Sequence, residues 1–229
     1  LIDDSKVKIA PKFRLMIMGA LIIILVIYNK IYIERSGLSF LNNLLEIDIF
    51  ALFFICLCFL FIINGANLID GFNGLLGIHT LIILVILFSI NLMHESFNLA
   101  YILFYTCLLI LIFLKFNFPK AQTFLGDSGA YLISLFTGYY LIQLANLNIT
   151  ISPFFIALLL WHPSYELLFC IIRKLNLNKS PMLPDKKHLH HVIFLFVKKK
   201  TKKFIFPLNY VNTFSGLIIS IYNFLLFMI

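Results

Sequence analysis

The sequence predicts an all-α, polytopic integral membrane protein of about seven transmembrane helices. Three observations carry that expectation. Of the 229 residues, 62% are hydrophobic and 12% charged, with a mean hydropathy of +1.00. Soluble domains are about half apolar and about a quarter charged. The apolar residues fall into runs of membrane length rather than alternating, which argues for helices over a barrel.

The runs, in order, are Leu15–Ile33, Ile47–Ile63, Leu75–Leu92, Leu99–Phe116, Gly129–Leu147, Pro153–Ile172 and Leu208–Met228. Each approaches the roughly 20 apolar residues that a spanning helix needs. Pro163 is expected to kink or break the sixth, because proline removes a helix hydrogen bond. Cys56, Cys58, Cys107 and Cys170 lie inside apolar runs and read as packing residues, not a disulfide framework. No internal repeat or linker composition divides the chain, so residues 1–229 read as one membrane domain.

Charge sets the expected topology. Crossing the membrane once per run puts 16 of the 18 Lys and Arg residues on one side and leaves Lys30 and Arg35 on the other. Basic residues mark the cytoplasmic side. Asp3, Asp4, Asp70, Asp127 and the His188-Leu189-His190-His191 segment fall on that same side, although the charge count did not use them. The basic balance is explained by membrane topology, and no nucleic-acid partner is expected. The lysines from Lys198 to Lys203 are expected beside anionic lipid head groups.

The stretch Asn67-Leu-Ile-Asp70-Gly71-Phe-Asn73-Gly74 is where one apolar run ends and the next begins. Its glycines allow a tight turn or close approach to a ligand. Asp70 and the asparagines offer hard oxygen atoms of the kind Mg²⁺ accepts. An ordinary interhelical turn would have the same composition. Converging carboxylates repel unless protons or a cation intervene, and Mg²⁺ takes one or two carboxylates together with substrate phosphate oxygens. Taken singly, each acid reads equally as a helix cap or a solvated loop charge. The histidines, with Lys186 and Lys187, suit phosphate, or simply an interfacial loop. Glu166 lies inside an apolar run, where a carboxylate is a functional candidate or a snorkelling side chain.

Five motifs in order carry a family resemblance. They are Leu1-Ile-Asp3-Asp4, Ala10-Pro11-Lys12-Phe-Arg14, Asn67 to Leu75, Gly126-Asp127-Ser128-Gly129, and Pro184-Asp185-Lys186-Lys187-His188-Leu-His190-His191. Together they resemble the polyprenyl-phosphate N-acetylhexosamine-1-phosphate transferases of glycosyltransferase family 4. The resemblance implies transfer of a sugar 1-phosphate from a UDP-sugar to a polyprenyl phosphate in the bacterial inner membrane, on its cytoplasmic face, releasing UMP. It implies Mg²⁺, with Mn²⁺ as a substitute, held by Asp70 and Asp127. It further implies that Asp3, Asp4 and Asp70 are catalytic, Asp3 and Asp4 lying near the lipid phosphate. Lys12, Asn67, Asn73, Asp127, His188, His190 and His191 would contact substrates. Expected partners are the UDP-sugar, the polyprenyl phosphate and the lipid bilayer, with a homodimer left open.

Three departures stand out. Asn73 replaces an aspartate that many members carry, Met18 stands near a common glutamine, and Glu166 replaces a frequent aspartate. The intact His segment favours the GlcNAc-type or O-antigen-type branch. The chain starts at Leu1 on the Asp-Asp motif, so the expectation is the C-terminal part of a longer protein. A Mg²⁺-dependent intramembrane prenyltransferase and an ion-coupled transporter using His162 and Glu166 are the competing readings.

Overall fold

In the computed structural model, residues 10–180, 188–201 and 208–228 are described. Asp3, Asp4 and Pro184 to Lys187 lie outside the described residues, as do Lys202 and Lys203. Helices and their connections account for the described chain, with no strand among those residues. The helices are α1 (Pro11–Asn29), α2 (Ser39–Leu45), α3 (Asp48–Ile69), α4 (Leu75–Met93), α5 (Phe97–Asn117), α6 (Gly126–Leu147), α7 (Pro153–Leu159), α8 (Trp161–Asn176), α9 (Leu189–Thr201) and α10 (Leu208–Phe227). Six are long and apolar enough to cross a membrane, and the bent pair α7 and α8 makes a seventh if counted as one span. The expected membrane architecture is therefore present, and the chain is a multi-pass membrane protein.

Several boundaries differ from the hydropathy runs for identifiable reasons. α1 starts four residues early, at Pro11, because proline fits the first turn of a helix, where its missing N–H is unpaired anyway. It stops at Asn29, and Lys30 takes a left-handed conformation (φ 50°) that ends the helix. α3 continues six residues beyond its expected end, through Asn64, Gly65 and Asn67. Asn67 thus belongs to a helix and not to the turn. Within this extension α3 and α8 meet backbone to backbone, since a Cβ on Gly65 would sit 2.3 Å from the Pro163 carbonyl oxygen.

The break expected at Pro163 occurs at Leu160, and α7 and α8 diverge by 71°. Pro163 lies in the first turn of α8, where no earlier carbonyl needs its N–H. Inside the bundle, α4 packs on α5, α3 on α6 and α8, and α10 on α4 and α9. Fully buried Leu84, Leu87, Leu103, Leu141 and Leu159 join α4, α5, α6 and α7. A polar knot lies beside them. The Asn223 side-chain amide is 3.3 Å from Nδ1 of both His79 and His162, tying α10 to α4 and α8. His162 does not line the cleft described below.

One end of α6 is closed by a cation. Arg35 donates to the carbonyls of Ala145 (3.1 Å), Asn148 (2.5 Å), Ile149 (2.6 Å) and Ile151 (2.7 Å). Carbonyls at a helix C-terminus lack partners and attract positive charge. This accounts for one of the two basic residues on the sparsely charged side.

Candidate functional site

A cleft of about 940 Å³ opens at the other end of α6. Its polar wall includes Arg14, Asn67, Asp70, Asp127, His188 and His190, drawn from four segments of the chain. Apolar side chains such as Leu15, Leu57 and Leu167 complete it.

The Asp70 turn is fixed from behind. Asn73 N–H donates to the Asn212 side-chain oxygen (2.8 Å), and Gly74 N–H donates to that of Asn117 (2.6 Å). The Asn73 amide donates to the Pro119 carbonyl (2.9 Å) and to Thr213 (3.2 Å). Gly74 has φ 78°, and a Cβ there would meet Phe118 at 2.8 Å, so this corner requires glycine. Asn73, expected among the substrate contacts, is buried behind the turn and is not among the residues that line the cleft. An amide in this position satisfies two neighbours, so the side chain serves the turn and not the cavity. Lys12 is exposed on α1 and is likewise absent from the lining.

Asp70 follows the last residue of α3. Burial pushes its carboxyl up to about 7, the Gly126 backbone N–H pulls it back, and the neighbouring Asp127 charge raises it further. Asp127 is in the first turn of α6, where the helix dipole favours a carboxylate. Its Oδ2 accepts from Arg14 at 2.6 Å, and its Oδ1 accepts from the Asn67 amide at 3.0 Å. The same amide lies 2.9 Å from the Tyr131 hydroxyl. Three spans, α1, α3 and α6, therefore converge on one carboxylate.

The His segment is not a loop. His188 precedes α9, and His190 and His191 lie in its first turn. Glu166, fully buried on α8, organises them. Its Oε2 accepts from His188 Nδ1 at 3.0 Å, its Oε1 accepts from the Leu189 backbone N–H at 2.7 Å, and the same oxygen lies 3.5 Å from His190 Nδ1. One carboxylate from a distant helix thus caps α9 and orients the His188 imidazole, satisfying an N–H that the helix start leaves unpaired. The His188 and His190 rings stack at 5.4 Å, and Phe72 packs edge-on against His190 at 4.8 Å. A Cβ on Gly71 would lie 3.8 Å from His190 Nε2, so the Asp70 turn and the His segment are direct neighbours.

Arg14, Tyr131 and Lys174 also line the cleft and were not singled out as site residues. Arg14 and Lys174 carried a weak signal, each being a cation near the end of an apolar run. Tyr131 carried none.

The donor set suits a hard cation. Asp70 and Asp127 provide charged oxygens in one cleft, and their mutual repulsion is relieved by positive charge. Both Asp127 oxygens already accept hydrogen bonds, but a carboxylate oxygen has two lone pairs. Among the described residues, no three His, Cys, Asp or Glu side chains form a metal cluster. The fit is to an ion that completes its shell with water and phosphate oxygens, as Mg²⁺ does.

The family model described as glycosyl transferase family 4 matches residues 1–145. The chain belongs to this family. Among its family 4 relatives is an undecaprenyl-phosphate alpha-N-acetylglucosaminyl 1-phosphate transferase of Thermotoga maritima, 36% identical over 61% of this chain and 42% of the relative. A probable undecaprenyl-phosphate N-acetylglucosaminyl 1-phosphate transferase of Bacillus subtilis is 28% identical over 84% of this chain and 54% of the relative. An Escherichia coli K12 protein with the same name as the Thermotoga relative is 26% identical over 83% of this chain and 53% of its own. The chain spans about half the length of these relatives. No solved structure matches it.

Proposed function

We propose that this family 4 chain carries the cytoplasmic-face active site of a bacterial inner-membrane enzyme that transfers N-acetylglucosamine 1-phosphate, or a closely related hexosamine 1-phosphate, from a UDP-sugar to a polyprenyl phosphate. The observation that carries the reading is the joining of the Asp70 turn, Asp127 and the Glu166-held histidines around one cleft with an apolar wall. Such a cleft suits a reaction between a water-soluble diphosphate and a membrane-bound phosphate. The relatives' names support the polyprenyl phosphate acceptor and the sugar. The proposed chemistry is attack by a phosphate oxygen of the lipid on the sugar-bearing phosphorus. A P–O–P bond breaks, a new one forms, and UMP leaves.

Phosphoryl transfer requires alignment of attacking and leaving oxygens and neutralisation of spreading negative charge. Mg²⁺ held by Asp70 and Asp127 would supply that neutralisation when bound. In this reading, Arg14 and Asn67 hold Asp127 in place. His188, held by Glu166 through Nδ1, and His190 beside it turn their remaining ring nitrogens to the nucleotide-sugar phosphates, to which they donate in the imidazolium form. The apolar side holds the isoprenoid next to the acceptor phosphate. Asp3 and Asp4 are proposed as the groups beside that phosphate.

The test is turnover of UDP-GlcNAc with undecaprenyl phosphate by the purified full-length protein that carries this chain, in nanodiscs, read as UMP. UMP formation that requires the lipid is expected. Asp70→Asn removes one charge while leaving the turn's backbone bonds, and should abolish it by removing several kcal/mol of charge stabilisation. Full activity of that variant at saturating Mg²⁺ would remove Asp70 from the role, and absence of lipid-dependent UMP would overturn the reading.

A further inference from the structure

α9 has two faces. His190, Ile193, Phe194 and Val197 turn inward: Phe194 lies 5.8 Å from the Phe72 ring, Ile193 packs beside it, and Val197 is 6% exposed. Val192, Leu195 and Phe196 are 56%, 63% and 62% exposed, and Lys199 continues their stripe at helical spacing. The helix ends in exposed Lys198, Lys199 and Lys200, two of which lie over phenylalanine rings of the same helix, Lys198 over Phe194 (5.9 Å) and Lys200 over Phe196 (5.8 Å). Its 13 residues extend about 20 Å, well short of the roughly 30 Å hydrocarbon core. Over the described residues it is too short to be a span.

An exposed apolar stripe that runs into a cationic end has a specific physical partner. The apolar part gains by leaving water, and the lysines gain by meeting a negative surface. α9 packs on α10, which itself exposes Phe214 and Tyr222 as a spanning helix does toward lipid. Water on the same face would leave three large apolar side chains solvated in a row.

We infer that α9 is an interfacial helix whose Val192-Leu195-Phe196 face rests in the acyl boundary and whose Lys198–Lys200 end binds anionic phospholipid head groups. The bilayer then becomes part of the support for the His188–His191 segment, which opens the same helix. This inference does not depend on the sugar-phosphate reading.

The test uses the full chain with p-benzoylphenylalanine in place of Phe196, in nanodiscs of phosphatidylcholine with or without phosphatidylglycerol. Irradiation should give phospholipid adducts. A second measurement counts phosphatidylglycerol retained by the purified protein in native mass spectrometry. Lys198→Gln/Lys199→Gln/Lys200→Gln should lower its retention by about fivefold for each lysine removed, and leave phosphatidylcholine unchanged. If the triple variant does not fold, Lys199→Gln alone is the deciding variant, since its side chain is exposed. Adducts to protein instead of lipid, or unchanged phosphatidylglycerol retention, would overturn the inference. Neither measurement uses turnover, so their failure leaves the transferase reading untouched.

Discussion

Glu166 Oε2 lies 3.0 Å from Nδ1 of His188, 22 residues away, and both groups are buried. The second oxygen of the same carboxylate holds the first backbone N–H of α9. A carboxylate inside an apolar run is thus paired with the His188 ring and the start of α9.

Glu166→Gln keeps the shape but removes the charge that holds His188. Losing a charge-assisted hydrogen bond costs about 1.5–3 kcal/mol. The expected outcome is a fall of about 10- to 100-fold in kcat/KM for the UDP-sugar, with the helical circular dichroism unchanged. Wild-type kinetics would show that the histidines do not need this partner.

In its proposed role as a Mg²⁺ ligand, Asp70 is expected to make metal binding depend on pH. Metal ligation requires the deprotonated carboxylate, and the metal-free group titrates near 7. Protons compete below that value, so apparent Mg²⁺ affinity should be about tenfold weaker at pH 6 than at pH 8. Because the folded value lies above the ordinary 3.8, the metal-free fold loses stability as pH rises from 3.8 through 7, and bound Mg²⁺ offsets that loss. Isothermal titration of wild type and Asp70→Asn with MgCl₂ at both pH values checks this. A pH-independent wild-type affinity would contradict it.

Gly65→Ala should destabilise the bundle. The new Cβ would meet the Pro163 carbonyl oxygen at 2.3 Å, and neither backbone has a flexible end to move aside. Overpacking of this kind costs about 1–3 kcal/mol. Thermal unfolding in detergent, followed by Trp161 fluorescence, should show a lower Tm. Gly19→Ala, which meets nothing within 4 Å, is the control expected to leave Tm unchanged.

Arg35→Ala should loosen the opposite end of the molecule. It strips donors from four carbonyls at and beyond the end of α6. A loss of about 1–3 kcal/mol is expected from carbonyls left unpaired. Hydrogen exchange should rise in residues 144–151 and not at the cleft. Uniform exchange across the chain would count against a local cap.

The sequence by itself determined the membrane class, the number of spans and the clustering of polar motifs at one end. Those properties follow from apolar run length and lysine distribution, which act along the chain and need no partner. It also determined that Asp70 and Asp127 belong together, because motif order and topology place both on one side. It did not determine what Asn67, Asn73 and Glu166 do. Asn67 joins the helix that packs closely on Pro163 at Gly65, and its amide holds Asp127. Asn73 turns away from the cleft to satisfy Pro119 and Thr213. Glu166 reaches a helix that hydropathy did not reveal, since α9 is too short and too basic to read as a span. Each of these roles depends on which polar atom a buried amide or carboxylate finds opposite it. That choice is made by packing between helices distant in the chain, and the physical reason is that an unpaired polar group inside the bundle costs more than the bend or extension needed to pair it.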